Sequence, residues 1–89
     1  MSEPNDSPLE FPCRWPVKAM VRSDDDAMTE VLGAIARHAE LPDEEEVSVR
    51  PSRNGRFESI TVPIQARSRS HLEAVYTELR ALDAVVMTL

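Results

Sequence analysis

Six residues near the middle of the chain, Pro51-Ser52-Arg53-Asn54-Gly55-Arg56, constrain the fold more than any others. An Asn-Gly pair between two alternating runs is the strongest short-range signal for a β-hairpin. Upstream, Val47-Ser48-Val49-Arg50 alternates apolar and polar side chains. Downstream, the run from Phe57 to Ala66 places Ile60, Val62, Ile64 and Ala66 on one face and Phe57, Ser59, Thr61 and Gln65 on the other. Successive side chains of a strand point to opposite faces, so each run has one face to bury and one to leave open. Pro63 interrupts the second run. It has no amide hydrogen to give to a ladder, so a bulge or a break in pairing is expected there.

On either side of this hairpin the period changes from two to about 3.6. Met28, Val31, Leu32, Ile35, Ala36 and Ala39 recur at the spacing of one helical face, which predicts a helix from about Asp24 to Ala39. Ser23 reads as its N-cap, and Asp24, Asp25 and Asp26 suit the positive end of the helix dipole. Leu41-Pro42 ends it, because the residue before a proline is pushed out of the helical region. After the hairpin, Leu72, Val75, Tyr76, Leu79 and Leu82 form a second stripe, capped by Ser68 or by Ser70 paired with Glu73. A strand, Pro16 to Arg22, precedes the first helix, with Val17, Ala19 and Val21 on one face. Ala84 to Leu89 reads as a last strand. The order is β-α-β-β-α-β. Right-handed crossovers put both helices on one face of an antiparallel sheet of spatial order 4-1-3-2, a ferredoxin-like α+β sandwich. Residues 1–14, with Pro4, Pro8 and Pro12, read as a flexible arm whose end Leu9 and Phe11 anchor; residues 15–89 form the domain.

With 89 residues there is material for one core and no more. The formal charge of −6 argues against nucleic acid and against anionic membranes as partners. No apolar run approaches the roughly 18 residues of a membrane span. No basic and apolar leader opens the chain, and its single cysteine, Cys13, permits no internal disulfide. A cytoplasmic location is the expectation.

Several stretches resemble the YbeD-like family of small bacterial proteins. They are Leu9-Glu10-Phe11-Pro12, Val49-Arg50-Pro51-Ser52 with Gly55, Ser59-Ile60-Thr61-Val62, Leu72-Glu73-Ala74-Val75-Tyr76 to Leu79, and Val85-Val86-Met87-Thr88-Leu89. The likeness covers roughly residues 9–89. It departs from the usual pattern at Pro63 and at the acidic turn Asp24-Asp25-Asp26. The resemblance implies a ferredoxin-like fold akin to the regulatory ACT domains. It also implies the family's working label of a lipoic-acid-binding regulator.

Residue by residue, catalytic constellations fail to assemble. The first loop, Arg22-Ser23-Asp24, lacks the paired cysteines of a metal chaperone, and no aromatic pair marks the central strands for RNA. Neither glycine, Gly33 or Gly55, lies in the first loop, where an ACT-type amino-acid site places one. Three consecutive aspartates point around a helix turn and do not converge on a metal. His38 and His71 are expected on the surface, without an acid–base partner, and Cys13 is expected to be a bystander thiol. No cofactor is called for. Two surfaces remain. Arg50, Arg53 and Arg56 concentrate positive charge around the hairpin, suited to a carboxylate or an acidic partner. The open sheet face, with Met20, Phe57 and Val86 among Lys18, Arg22, Ser59 and Thr61, suits an interface. The expected function is a non-catalytic regulatory or adaptor domain acting through a protein partner or a weak homodimer. The alternative is a sensor of a small acidic metabolite such as lipoate or an amino acid.

Overall fold

Strands β1 (Cys13–Arg22) and β3 (Phe57–Ala66) form the centre of the sheet, paired antiparallel from Cys13 opposite Ala66 to Arg22 opposite Phe57. These lie in a computed structural model that describes residues 10–24 and 26–89. Strand β2 (Ser48–Pro51) flanks β3, and β4 (Val85–Thr88) flanks β1, giving the order β2-β3-β1-β4. That is the expected 4-1-3-2 sheet read from its other edge. Helices α1 (Ala27–Ala36) and α2 (Arg69–Arg80) complete the βαββαβ order.

The alternation locates the core. Val17, Ala19 and Val21 of β1 and Ile60, Val62, Ile64 and Ala66 of β3 are buried in one cluster with Val31, Ala34 and Ile35 of α1 and Leu72, Val75 and Leu79 of α2. Both helices therefore cover the same face. Removing a side chain such as Ile35 or Leu79 from water contributes on the order of 1.5–3 kcal/mol each. Phe11 packs against this core, half-buried, as expected of an anchor, while Leu9 and the rest of residues 1–9 lie outside the described residues.

Four local expectations are corrected. Strand β1 starts at Cys13, inside the residues read as a flexible arm, because its pairing with β3 runs on to Ala66. Helix α1 is shorter than the apolar stripe suggests. Ser23 does not cap it; its amide instead donates to the Arg56 carbonyl and extends the ladder past Arg22. Asp26 is the N-cap residue, and Asp24 Oδ1 accepts from the Asp26 amide at 2.8 Å; Asp25 lies outside the described residues. Third, Val47 stands outside β2 and Ala84 outside β4.

The fourth correction concerns Pro63. No bulge occurs: it sits in register, opposite Pro16 of β1. The amide of Arg22 donates to Ala84, and the Lys18 carbonyl accepts from Leu89, so even-numbered residues of β1 turn their backbone groups towards β4. Pro16 therefore directs its missing N–H away from β3, at the first position beyond the reach of β4. The Phe57 carbonyl accepts from Ser52, so odd-numbered residues of β3 face β2. Pro63 occupies the first such position beyond Thr61, where pairing with Ser48 ends β2. The two prolines lose no ladder bond. Pro16 is exposed and removes a donor from a free edge of β1, a device that blunts edges against further pairing, whereas Pro63 is buried beside the segment that carries Leu41, Pro42 and Glu46.

Candidate functional site

The hairpin that opens the site is set by one glycine and two side chains. The Gly55 amide donates to Ser52 O at 3.0 Å, and Gly55 takes φ +77°, a backbone that glycine adopts without a Cβ clash. Asn54 Oδ1 accepts from the Arg56 amide and Ser52 Oγ from the Phe57 amide, both at 3.1 Å. The turn thus returns the chain so that Arg50 stands opposite Ser59.

Directly opposed residues share a face. Because Val17, Ala19 and Val21 point to the helices, Lys18, Met20 and Arg22 point to the open side, and their partners Thr61, Ser59 and Phe57 join them. Arg50 and Ser48 follow from β2, and Met87 of β4 lies opposite Met20. Between Met87 and Val85 the register slips by one, leaving Val86 as the extra residue of a β-bulge. Val86 was expected to be Met20's companion on this face; Met87 takes that place, and both are exposed, at 40% and 49%.

The structure joins one part of each surface read from the sequence. A cavity of about 160 Å³ is lined by Met20, Phe57 and Ser59 of the central strands and Arg50, Pro51 and Ser52 of β2 and the turn; Glu58 completes it. Arg53 and Arg56 stay exposed and line none of it, so the arginine cluster divides and Arg50 alone belongs to the site.

Charge is segregated across the sheet. On a chain of net charge −6, the charged strand residues placed on the open face by register are Arg14, Lys18, Arg22 and Arg50, all cations. Arg14 is engaged with Glu46 at 2.6 Å, and Arg22 donates to the Asp83 carbonyl at 2.6 Å. Lys18 and Arg50 make no ion pair among the described residues. Glu58 belongs to the other face by register, opposite Val21.

On the helix side a larger cavity of about 350 Å³ lies among Met28, Leu32, Leu41, Pro42, Glu44 and Val47. A third space, of about 230 Å³, lies along α2 beside Trp15 and Tyr76, whose indole N–H and hydroxyl are 2.9 Å apart.

The histidines depart from expectation. His71 is buried, 8% exposed, and both ring nitrogens are used. Nδ1 accepts from the Arg67 amide at 2.9 Å, so Nε2 carries the proton and donates to the His38 carbonyl at 2.6 Å. His71 precedes Val75 by four residues and so shares the apolar face of α2, a spacing that signals its burial. His38 is half-buried, with Nε2 3.4 Å from Glu78 Oε2 but out of line for a hydrogen bond. Arg37 Nη1 meets Glu78 Oε1 at 2.7 Å. The His38 imidazole, with Arg37, holds the Glu78 carboxyl below the usual carboxylate range against a partial desolvation that raises it. Cys13 is half-buried in β1.

The sequence model of the family described as "Protein of unknown function (DUF493)" matches residues 6–89. The chain belongs to the DUF493 family. UPF0250 proteins of Paraburkholderia phymatum and Chromobacterium violaceum are each 36% identical to it over 89 residues, all of both chains. The YbeD-like resemblance stands. Among solved structures, the DUF493 chain is similar to protein HP0495 from H. pylori, with a TM-score of 0.70, 22% identity, and coverage of 100% of this chain and 97% of that one. The ACT domain from the GTP pyrophosphokinase of Chlorobium tepidum follows, with a TM-score of 0.67, 10% identity, and coverage of 85% and 94%. At these identities the likeness is one of fold, and it bears out the ferredoxin-like, ACT-like architecture.

Proposed function

We propose that this DUF493 chain is a non-catalytic regulatory or adaptor module that works in the cytoplasm by docking a protein partner on its open sheet face. The observation that carries the reading is the apolar group on that face, exposed Met87 beside half-buried Met20 and Phe57, at an apolar-floored cavity. Apolar side chains gathered on one face of a small domain mark contact surfaces. The titratable groups that acid–base chemistry would draw on have structural duties instead: His71 joins two backbone groups, and His38 faces Glu78.

A second reading has its own observation. Arg50 at the edge of the cavity, over Met20 and Phe57, suits a small ligand with an apolar body and a carboxylate, such as lipoate. Capture from native lysate separates the two. Wild-type bait should retain a partner that Met20→Asp and Met87→Asp baits lose at unchanged thermal stability. Equal recovery by all three baits refutes docking on this face. Amide shifts around the cavity with millimolar lipoate, and no face-dependent protein capture, establish the second reading instead.

A further inference from the structure

We infer that the partner presents an acidic segment with one large apolar anchor, which enters the Met20–Phe57 cavity while a neighbouring carboxylate meets Arg50. This deepens the docking reading and rests on it. Three observations support it. The first is size: the cavity holds about 160 Å³, and an apolar cavity of about 150 Å³ is known to admit a benzene ring. A phenyl or isobutyl side chain fits such a space, and interface energy concentrates at anchors of this kind.

The second is charge. The strand residues on the open face carry only positive charge although the chain is strongly acidic, and Lys18 and Arg50 are free of ion pairs among the described residues. A free guanidinium beside an apolar floor offers paired donors to a carboxylate. Complementary charge steers encounter and rejects partners of the same sign. A second copy meeting this face with its own would set cations against cations, so a symmetric face-to-face dimer is disfavoured.

The third is backbone. The turn that forms the wall of the cavity is fixed by its own hydrogen bonds through Ser52, Asn54 and Gly55. The site is preformed, which reduces the ordering cost of binding.

The test uses the ¹⁵N-labelled full chain and three capped pentapeptides. One has a phenylalanine flanked on each side by two glutamates; in the second, alanine replaces phenylalanine; in the third, lysines replace the glutamates. The glutamate–phenylalanine peptide should shift the amides of Met20, Arg50, Phe57 and Ser59. Its affinity should fall at least tenfold with Arg50→Glu, fall with added salt, and rise with Glu58→Gln, which removes the carboxylate that lines the cavity. The alanine peptide should bind at least tenfold more weakly. Equal binding of the lysine peptide at these amides overturns the acidic partner and leaves the docking reading intact. Shifts confined to Met28, Leu32, Leu41 and Val47 place the anchor in the helix-side groove and overturn the site. Lipoate shifting the same amides at a lower concentration than the peptide overturns the protein segment in favour of a small acid. If no peptide shifts the open face but lysate capture still depends on Met20, the anchor inference fails alone. If capture is also independent of Met20, both fail.

Discussion

Replacing His71 with alanine should destabilise the fold far more than a surface substitution would. The side chain is 8% exposed and spans two backbone groups from different parts of the chain, the Arg67 amide and the His38 carbonyl. Alanine leaves both without their partner in a site that water reaches poorly. A buried group that loses its hydrogen bond costs about 1–3 kcal/mol, so the pair is worth about 2–4 kcal/mol after partial rescue by water at the rim. For a domain of this size 1 kcal/mol moves Tm by roughly 4–8 °C, which puts the expected fall at roughly 8–32 °C. Two variants divide the effect. His71→Asn retains an acceptor near the position of Nδ1 and should recover the Arg67 bond. His71→Gln reaches the Nε2 position and should recover donation to His38. Urea unfolding by circular dichroism at constant pH supplies the free energies. A loss below about 0.5 kcal/mol for alanine, the range of ordinary surface changes, would refute the account of His71 as the tie between α2 and the turn after α1.

Ser68→Ala should cost about 1 kcal/mol in the same assay, because Ser68 Oγ accepts the His71 amide as the N-cap of α2. Ser70→Ala should cost less than half as much; equal losses would show that the cap is shared. Replacing the exposed Pro16 by valine restores an outward amide at the free edge of β1 and should raise self-association measured by light scattering. Unchanged scattering at millimolar protein would show that Pro16 does not guard that edge. The folded state holds the Glu78 proton more weakly than the unfolded chain does. Its stabilising contribution is therefore complete above the ordinary glutamate pKa of about 4.3 and fades as the pH falls through the lowered value. Glu78→Gln should lower Tm at neutral pH and leave it close to wild type in stronger acid. A difference that persists undiminished in acid would contradict the assignment.

The architecture was legible because it rests on local signals that agree. The strand period of Phe57 to Ala66, the stripes of α1 and α2 and the Asn54-Gly55 turn each specify one element, and their order leaves few topologies. Where the reading missed, a long-range contact had overridden a local preference. Ser23 is a sound cap by propensity, yet its amide is taken by Arg56 across the sheet. Pro63 breaks a strand by rule, yet here it meets Pro16 where neither amide is needed. The site was legible in part. Met20, Phe57 and Arg50 were each singled out, but as members of two separate surfaces.

Which side chains are apolar, at what period they recur and where the chain turns can all be read along the chain. Those properties depend on neighbours a few residues away, and they sufficed for the βαββαβ order. Which polar groups meet depends on the folded arrangement. It brought Arg50 to the cavity and left Arg53 and Arg56 outside, set Met87 in place of Val86 opposite Met20, and buried His71 between Arg67 and His38. The strand outcomes turn on register, where a shift of one residue moves a side chain to the opposite face, and the burial of His71 turns on how α2 packs against the turn after α1. Register is fixed by the whole sheet and the helices upon it, so no single segment encodes it.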